Sequence, residues 1–140
     1  MSTPFKSTRR VEFCETDAAG LVHFSAFFQY MEQAEHALFR QCGLSVVLDD
    51  CAGRLISWPR VNAACDFEGA VKFEDVLDIN VTISRLGDRS ITFAFTFRLG
   101  SKPIAKGTIT TVCCHIEHDK APQSIEIPDW IRERLQPLVA

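Results

Sequence analysis

No stretch of this 140-residue chain approaches the roughly 20 consecutive apolar residues that a bilayer-spanning helix needs. The opening segment Met1-Ser2-Thr3-Pro4-Phe5-Lys6 lacks the basic run followed by an apolar one that marks a secretory signal, so a cytosolic (cytoplasmic) protein without membrane insertion is expected. Positive charge is not in excess. The 15 Lys and Arg against 18 Asp and Glu leave a net charge of −3, which argues against general nucleic-acid binding but allows a local basic site for one phosphorylated ligand. No two of Cys14, Cys42, Cys51, Cys65, Cys113 and Cys114 form a CxxC pair, so a zinc site is disfavoured. In a cytosolic chain these cysteines are expected to be reduced, buried, small apolar residues. Internal repeats, low-complexity tracts and linkers are also missing, so residues 1–140 read as a single domain.

What is present is ordinary core material. With 46% apolar residues and a length that buries roughly two-thirds of the unfolded surface, the chain can fold without staples. A short strand fits Thr8 to Phe13. The only long helical pattern runs from about Ser25 to Cys42, with Phe24, Phe27, Phe28, Met31, Ala34, Leu38 and Cys42 at steps of three and four. Ser25 is suited to cap its start and Gly43 to stop it. Ala26 and Tyr30 widen the apolar arc of its first half, as in a helix enclosed on more than one side.

After Pro59 the period becomes two. Val61, Ala63, Cys65 and Phe67, then Leu77, Ile79, Val81 and Ile83, then Ile91, Phe93, Phe95, Phe97 and Leu99 alternate with more polar neighbours. Such alternation describes antiparallel strands with one buried face. Gly87-Asp88 and Gly100-Ser101-Lys102-Pro103 supply hairpin turns, a last strand spans about Ile104 to Ile116, and Pro128-Asp129 opens a short terminal helix. The expected architecture is α+β: one long central helix packed against a curved antiparallel sheet of about five strands. The helix covers only part of such a sheet, so an edge strand or open face is expected to pair with a second copy.

The chemistry concentrates in the loop before the helix. Chemistry at a carbonyl carbon needs an attacking group, or a base for water, and stabilisation of charge on the carbonyl oxygen. A carboxylate can supply the first, and the unpaired N–H groups opening a helix the second. The segment Val11-Glu12-Phe13-Cys14-Glu15-Thr16-Asp17-Ala18-Ala19-Gly20-Leu21-Val22-His23-Phe24 puts Asp17 shortly before the helix, with Gly20 permitting a tight turn. It resembles the signature of the 4-hydroxybenzoyl-CoA thioesterase family, which includes the Tol-Pal-associated short-chain acyl-CoA thioesterases. The matching positions are Phe13, Thr16, Asp17, Gly20, Leu21, Val22, His23 and Phe24, and the helix and strands that follow extend the likeness over nearly the whole chain.

The resemblance implies a hot-dog fold and an acyl-CoA thioesterase, with Asp17 as catalytic carboxylate and the Phe24 N–H, with or without that of His23, polarising the thioester. Whether Asp17 attacks directly or activates water stays open. The His23 ring can bind the carbonyl, orient a water, or only fix the loop. The family's hairpin turn that helps hold the CoA nucleotide, often from the partner subunit, corresponds to Arg85-Leu86-Gly87-Asp88-Arg89-Ser90. Arg85, Arg89 and Ser90 therefore join Gly20 as candidate substrate-binding residues, and Asp88 departs from the pattern. No metal or redox cofactor is implied, CoA being part of the substrate. The implied partners are an acyl-CoA or acyl-carrier-protein thioester and further copies of the chain, in a homodimer or homotetramer.

Two other functional classes stand beside this one. Hot-dog hydratases and dehydratases of acyl thioesters pair a His with an Asp or Glu. Asp17 and His23 supply both residue types, without the Asp-to-His spacing or the Asn-Pro of the hydratase motif. A non-catalytic acyl-thioester binder is the third. Glu32, Glu35 and His36 read as an exposed polar stripe rather than metal ligands, and Cys113, Cys114, His115 and His118 as strand-end packing.

Overall fold

The computed structural model describes residues 3–50 and 53–140; Met1, Ser2, Cys51 and Ala52, and the expectations attached to them, lie outside the described residues. In chain order the elements are β1 (Phe5–Arg10), a 3₁₀ turn (Phe13–Glu15), α1 (Phe24–Gln41), β2 (Leu48–Asp49), β3 (Leu55–Ser57), β4 (Arg60–Phe67), β5 (Val76–Leu86), β6 (Ser90–Leu99), β7 (Lys102–Val112), β8 (Cys114–Ile116), β9 (Gln123–Ser124), α2 (Asp129–Leu135) and a second 3₁₀ turn (Gln136–Leu138). Five strands form an antiparallel sheet in the order β1-β5-β6-β7-β4, the architecture expected. Among the described residues no helix is long and apolar enough to cross a membrane.

α1 lies on the apolar face of the sheet. Tyr30, Met31 and Leu38 are fully buried there with Leu77, Ile79 and Ile83 of β5, Phe93, Phe95 and Phe97 of β6, and Ile104 of β7. Met31 sits so close to β7 that a Cβ at Gly107 would collide with its sulfur. The helix ends in a Schellman motif: Leu44 N–H donates to Phe39 O, Gly43 N–H to Arg40 O, and Gly43 adopts φ +75°.

Several boundaries differ from the sequence expectations. β1 begins earlier and stops at Arg10, because Phe13–Glu15 folds as a 3₁₀ turn rather than continuing the strand. The helix starts one residue earlier than its pattern, and Phe24, placed on the inner face, is 62% exposed at its end. The last strand breaks at Cys113; β8 leaves the main sheet to join a second, small sheet, β2-β3-β8-β9. β4 is an edge strand that α1 covers only in part, which leaves Val61 61% and Phe67 48% exposed instead of buried. Cys14 is exposed, unlike buried Cys113 and Cys114.

Glu35 overturns the expectation of a polar stripe. It is 0% exposed and receives both arms of the Arg60 guanidinium, at 2.5 and 3.0 Å, while Glu32 remains outside at 3.4 Å. Burial pushes the Glu35 carboxyl up to about 7, against the lowering influence of Arg60. The native state then holds a proton that the unfolded chain releases near 4.5. The contribution to stability is full below that pH and is lost as pH rises toward about 7, with an upper size of about 3 kcal/mol. Urea midpoints across this window are expected to fall in the wild type and to flatten in Glu35→Gln; an equal slope in the variant would assign it to other groups.

Candidate active site

The loop between β1 and α1 is a built structure. Thr16 and Val22 pair across its base, Asp17 N–H donates to Leu21 O at 2.7 Å, and Gly20 N–H to Asp17 O at 3.0 Å. Gly20 closes this turn at φ +81°, a conformation that costs a side-chain-bearing residue roughly 1–2 kcal/mol. Within the turn the Asp17 carboxylate is held by one oxygen. Its Oδ1 accepts the N–H groups of Ala19 at 2.9 Å and Leu21 at 3.2 Å, while no protein donor reaches Oδ2 among the described residues. The chain thus fixes the carboxylate and leaves one oxygen open.

His23 is the N-cap of α1, not Ser25. Its Nδ1 accepts the Ser25 N–H at 3.2 Å and lies 2.7 Å from Ser25 Oγ. With Nδ1 accepting, a neutral ring carries its proton on Nε2, a donor that meets no acceptor among the described residues. The His23 N–H, a possible second donor to the thioester, is already engaged at 2.8 Å by Glu15 O. The Phe24 N–H has no partner among the described residues. Asp17 and His23 do not hydrogen-bond to each other, although both line the same cleft.

These groups share one cleft of about 790 Å³, lined by Asp17, His23 and Phe24 together with Phe27 of α1 and Phe67 and Glu68 at the end of β4. Phe27, 4% exposed, forms the floor. It packs edge-on against Tyr30, Phe67 and Phe97 at centroid distances of 5.9, 5.3 and 5.4 Å, so the base of the cleft is also the core. Glu68 was not signalled by the sequence, because only strand pairing brings the end of β4 to the helix start.

Four sequence candidates fall elsewhere. Gly20 is outside the lining, its role being the turn. Arg85, Arg89 and Ser90 sit at the far end of β5 from this cleft, since the site loop bonds to the Lys72–Asp75 end and eleven strand residues span about 35 Å. There Arg89 donates to Ser124 O at 3.0 Å and Arg132 of α2 to Gly87 O at 2.8 Å. Within one chain the hairpin and Asp17 are not brought together.

A five-stranded antiparallel sheet packed on one long helix, with the Asp17 turn and the start of that helix lining a common cleft, is a hot-dog arrangement. The chain belongs to the thioesterase-like superfamily, whose family model matches residues 11–135. It is 30% identical over 143 residues to a 1,4-dihydroxy-2-naphthoyl-CoA hydrolase from Synechococcus sp. (strain WH7803), with 96% of this chain and 92% of that protein covered. Among solved structures, a gentisyl-coenzyme A thioesterase superposes with a TM-score of 0.81 at 26% identity, covering 94% of this chain and 99% of that one. A 1,4-dihydroxy-2-naphthoyl-CoA thioesterase from Synechocystis superposes with a TM-score of 0.82 at 21% identity, over 96% of each chain, a likeness of fold.

Removing the imidazole cap should loosen the helix start. His23→Ala is expected to cost about 1 kcal/mol and lower Tm by about 2–4 °C, with His23→Asn, which restores a capping oxygen, recovering most of the loss. Equal Tm values for all three proteins would show that the cap contributes nothing to stability.

Proposed function

We propose that this protein is an acyl-CoA thioesterase that cleaves its substrate to a carboxylic acid and free CoA, with Asp17 as the reacting carboxylate. The observation supporting this reading is that Asp17, whose Oδ2 meets no protein donor, and Phe24, whose N–H is unpartnered among the described residues, line one cleft. A thioester whose carbonyl oxygen accepts the Phe24 N–H presents its carbon to Asp17. As developing negative charge collects on that oxygen, the amide and the positive helix end stabilise it. His23 Nε2–H is a second donor available on the same wall.

Two routes satisfy the geometry. Asp17 Oδ2 takes a proton from water, the hydroxide adds to the carbonyl carbon, the C–S bond breaks, and the departing thiolate recovers the proton. Alternatively Oδ2 adds directly, expelling the thiolate and leaving an anhydride that water opens. Neither route calls for a metal or redox cofactor.

An aromatic acyl group fits best. Phe24, Phe27 and Phe67 offer ring faces and edges, and the small residues Ala18, Ala19 and Ala70 leave room for a flat ring. The names of the relatives, hydrolases and thioesterases of naphthoyl- and gentisyl-CoA, point the same way. We place the reaction in the cytosol, where an exposed thiol such as Cys14 stays reduced.

The active form in this reading is a homodimer or homotetramer whose subunits join through β4. Two-fold antiparallel pairing of β4 edges would bring the partner's hairpin end, with its Arg85, Arg89 and Ser90, to the end of the sheet that holds this chain's cleft. That arrangement reconciles the CoA-binding role with the separation inside one chain.

Thiol release from aromatic and aliphatic acyl-CoAs tests the chemistry. Asp17→Asn, which keeps the shape and removes the charge, is expected to lose about a hundredfold or more in kcat. Turnover near wild type would end the assignment, and conversion of a trans-2-enoyl-CoA without thiol release would favour a hydratase. For the assembly, Val61→Lys on the open edge is expected to yield monomers in light scattering with raised KM; an unchanged oligomer would place the interface elsewhere.

A further inference from the structure

We infer that Glu15 is the positioning residue of this site, the group that holds the Asp17 turn and the first amide of α1 in register. The inference rests on the reading of Asp17 and Phe24 given above. Glu15 joins four parts of the chain. One carboxylate oxygen, Oε1, accepts the Tyr30 hydroxyl of α1 at 2.8 Å and the Glu12 N–H at 2.7 Å. The other, Oε2, forms an ion pair with Arg9 of β1. Its backbone carbonyl accepts the His23 N–H at 2.8 Å, one residue before the Phe24 amide.

The direction of each bond matters. The side chain ties the 3₁₀ turn to β1 and to the second turn of the helix, and the carbonyl ties it to the helix cap. Asp17 follows two residues later, with Thr16 between them fixed by its hydroxyl on Phe13 O at 2.7 Å and by its bridge to Val22. Any shift of Glu15 therefore moves the carboxylate-bearing turn against the amide.

The donors are held as well. Tyr30 is fully buried, and burial first, then the bond to Glu15, push its hydroxyl up, so it keeps its proton and remains a donor. The Arg9 guanidinium lies 5.2 Å over the Tyr30 ring, and its Nε is buried without a partner among the described residues. Its orientation is set by Glu15 and the ring together. Glu15 itself does not line the cleft, so it acts through Asp17 and the amide rather than on substrate.

Displacement of a reacting group by about an ångström costs on the order of a hundredfold in rate, whereas a merely structural ion pair alters stability alone. The test is Glu15→Gln in the full chain, alone and combined with Asp17→Asn, read as kcat, KM and thermal midpoint. We expect kcat to fall about tenfold or more with KM within about threefold, in protein folded well above the assay temperature. In the Asp17→Asn background the same substitution should cost less than about threefold, because the group it positions is already disabled. Wild-type kcat in Glu15→Gln with an inactive Asp17→Asn overturns the positioning role alone, as does an equal loss in both backgrounds. Full activity of Asp17→Asn overturns both this inference and the reading beneath it. If Glu15→Gln does not fold, Tyr30→Phe replaces it. That variant keeps the Arg9 pair, and an about three- to tenfold fall in kcat at constant KM supports the inference while wild-type kcat overturns it.

Discussion

How near one helix can come to one sheet governs the rest of this molecule. Gly107 withholds a side chain where Met31 presses against β7, and Tyr30, Met31 and Leu38 then bury completely over the aromatic ladder of β6. Burying such side chains contributes roughly 1.5–3 kcal/mol each. Close contact along this line leaves α1 little freedom to slide. The position of its first turn, and of the unpaired Phe24 amide, follows from packing made well inside the core.

Two carboxylates complete what the packing begins. Glu15 reaches α1 from the entering loop, and Glu35 reaches out from α1 to Arg60 at the start of β4. Apolar contact resists separation but tolerates small rotations, whereas the forked Arg60–Glu35 pair fixes direction as well as distance. Their arginine partners, Arg9 and Arg60, lie on β1 and β4, the opposite edges of the sheet. The helix is thus tethered to both borders of the surface it covers, and the cleft opens where its first turn meets the end of β4.

Most of the architecture was legible in the sequence. The three-and-four spacing from Phe27 to Leu38 and the two-residue alternation through β5 and β6 are periodic signals that burial imposes directly. β4 misled because alternation reports which side of a strand is apolar, not whether anything in the same chain covers it. Glu35 misled for the reverse reason: a charge on a helix reads as solvated until its counter-ion, 25 positions away, is brought to it by folding. The Asp17 loop was readable because turn chemistry is local. The Glu15–Tyr30 bond was not, although the chain's one tyrosine on an apolar helix face was a hint of a buried hydroxyl seeking an acceptor. The cap passed from Ser25 to His23 because an imidazole nitrogen can take the place of a hydroxyl oxygen, which residue statistics seldom register.

Phe27 belongs to two structures at once. The same ring that meets the cleft also wedges between Tyr30, Phe67 and Phe97. Substrate range and thermal resistance are therefore coupled variables in this scaffold: trimming that ring to admit a bulkier guest would hollow the interior beneath it. Evolution of new selectivity would find its freer ground on the rim, at Ala18, Ala19, Glu68 and Ala70, where side chains can change size without disturbing what lies below.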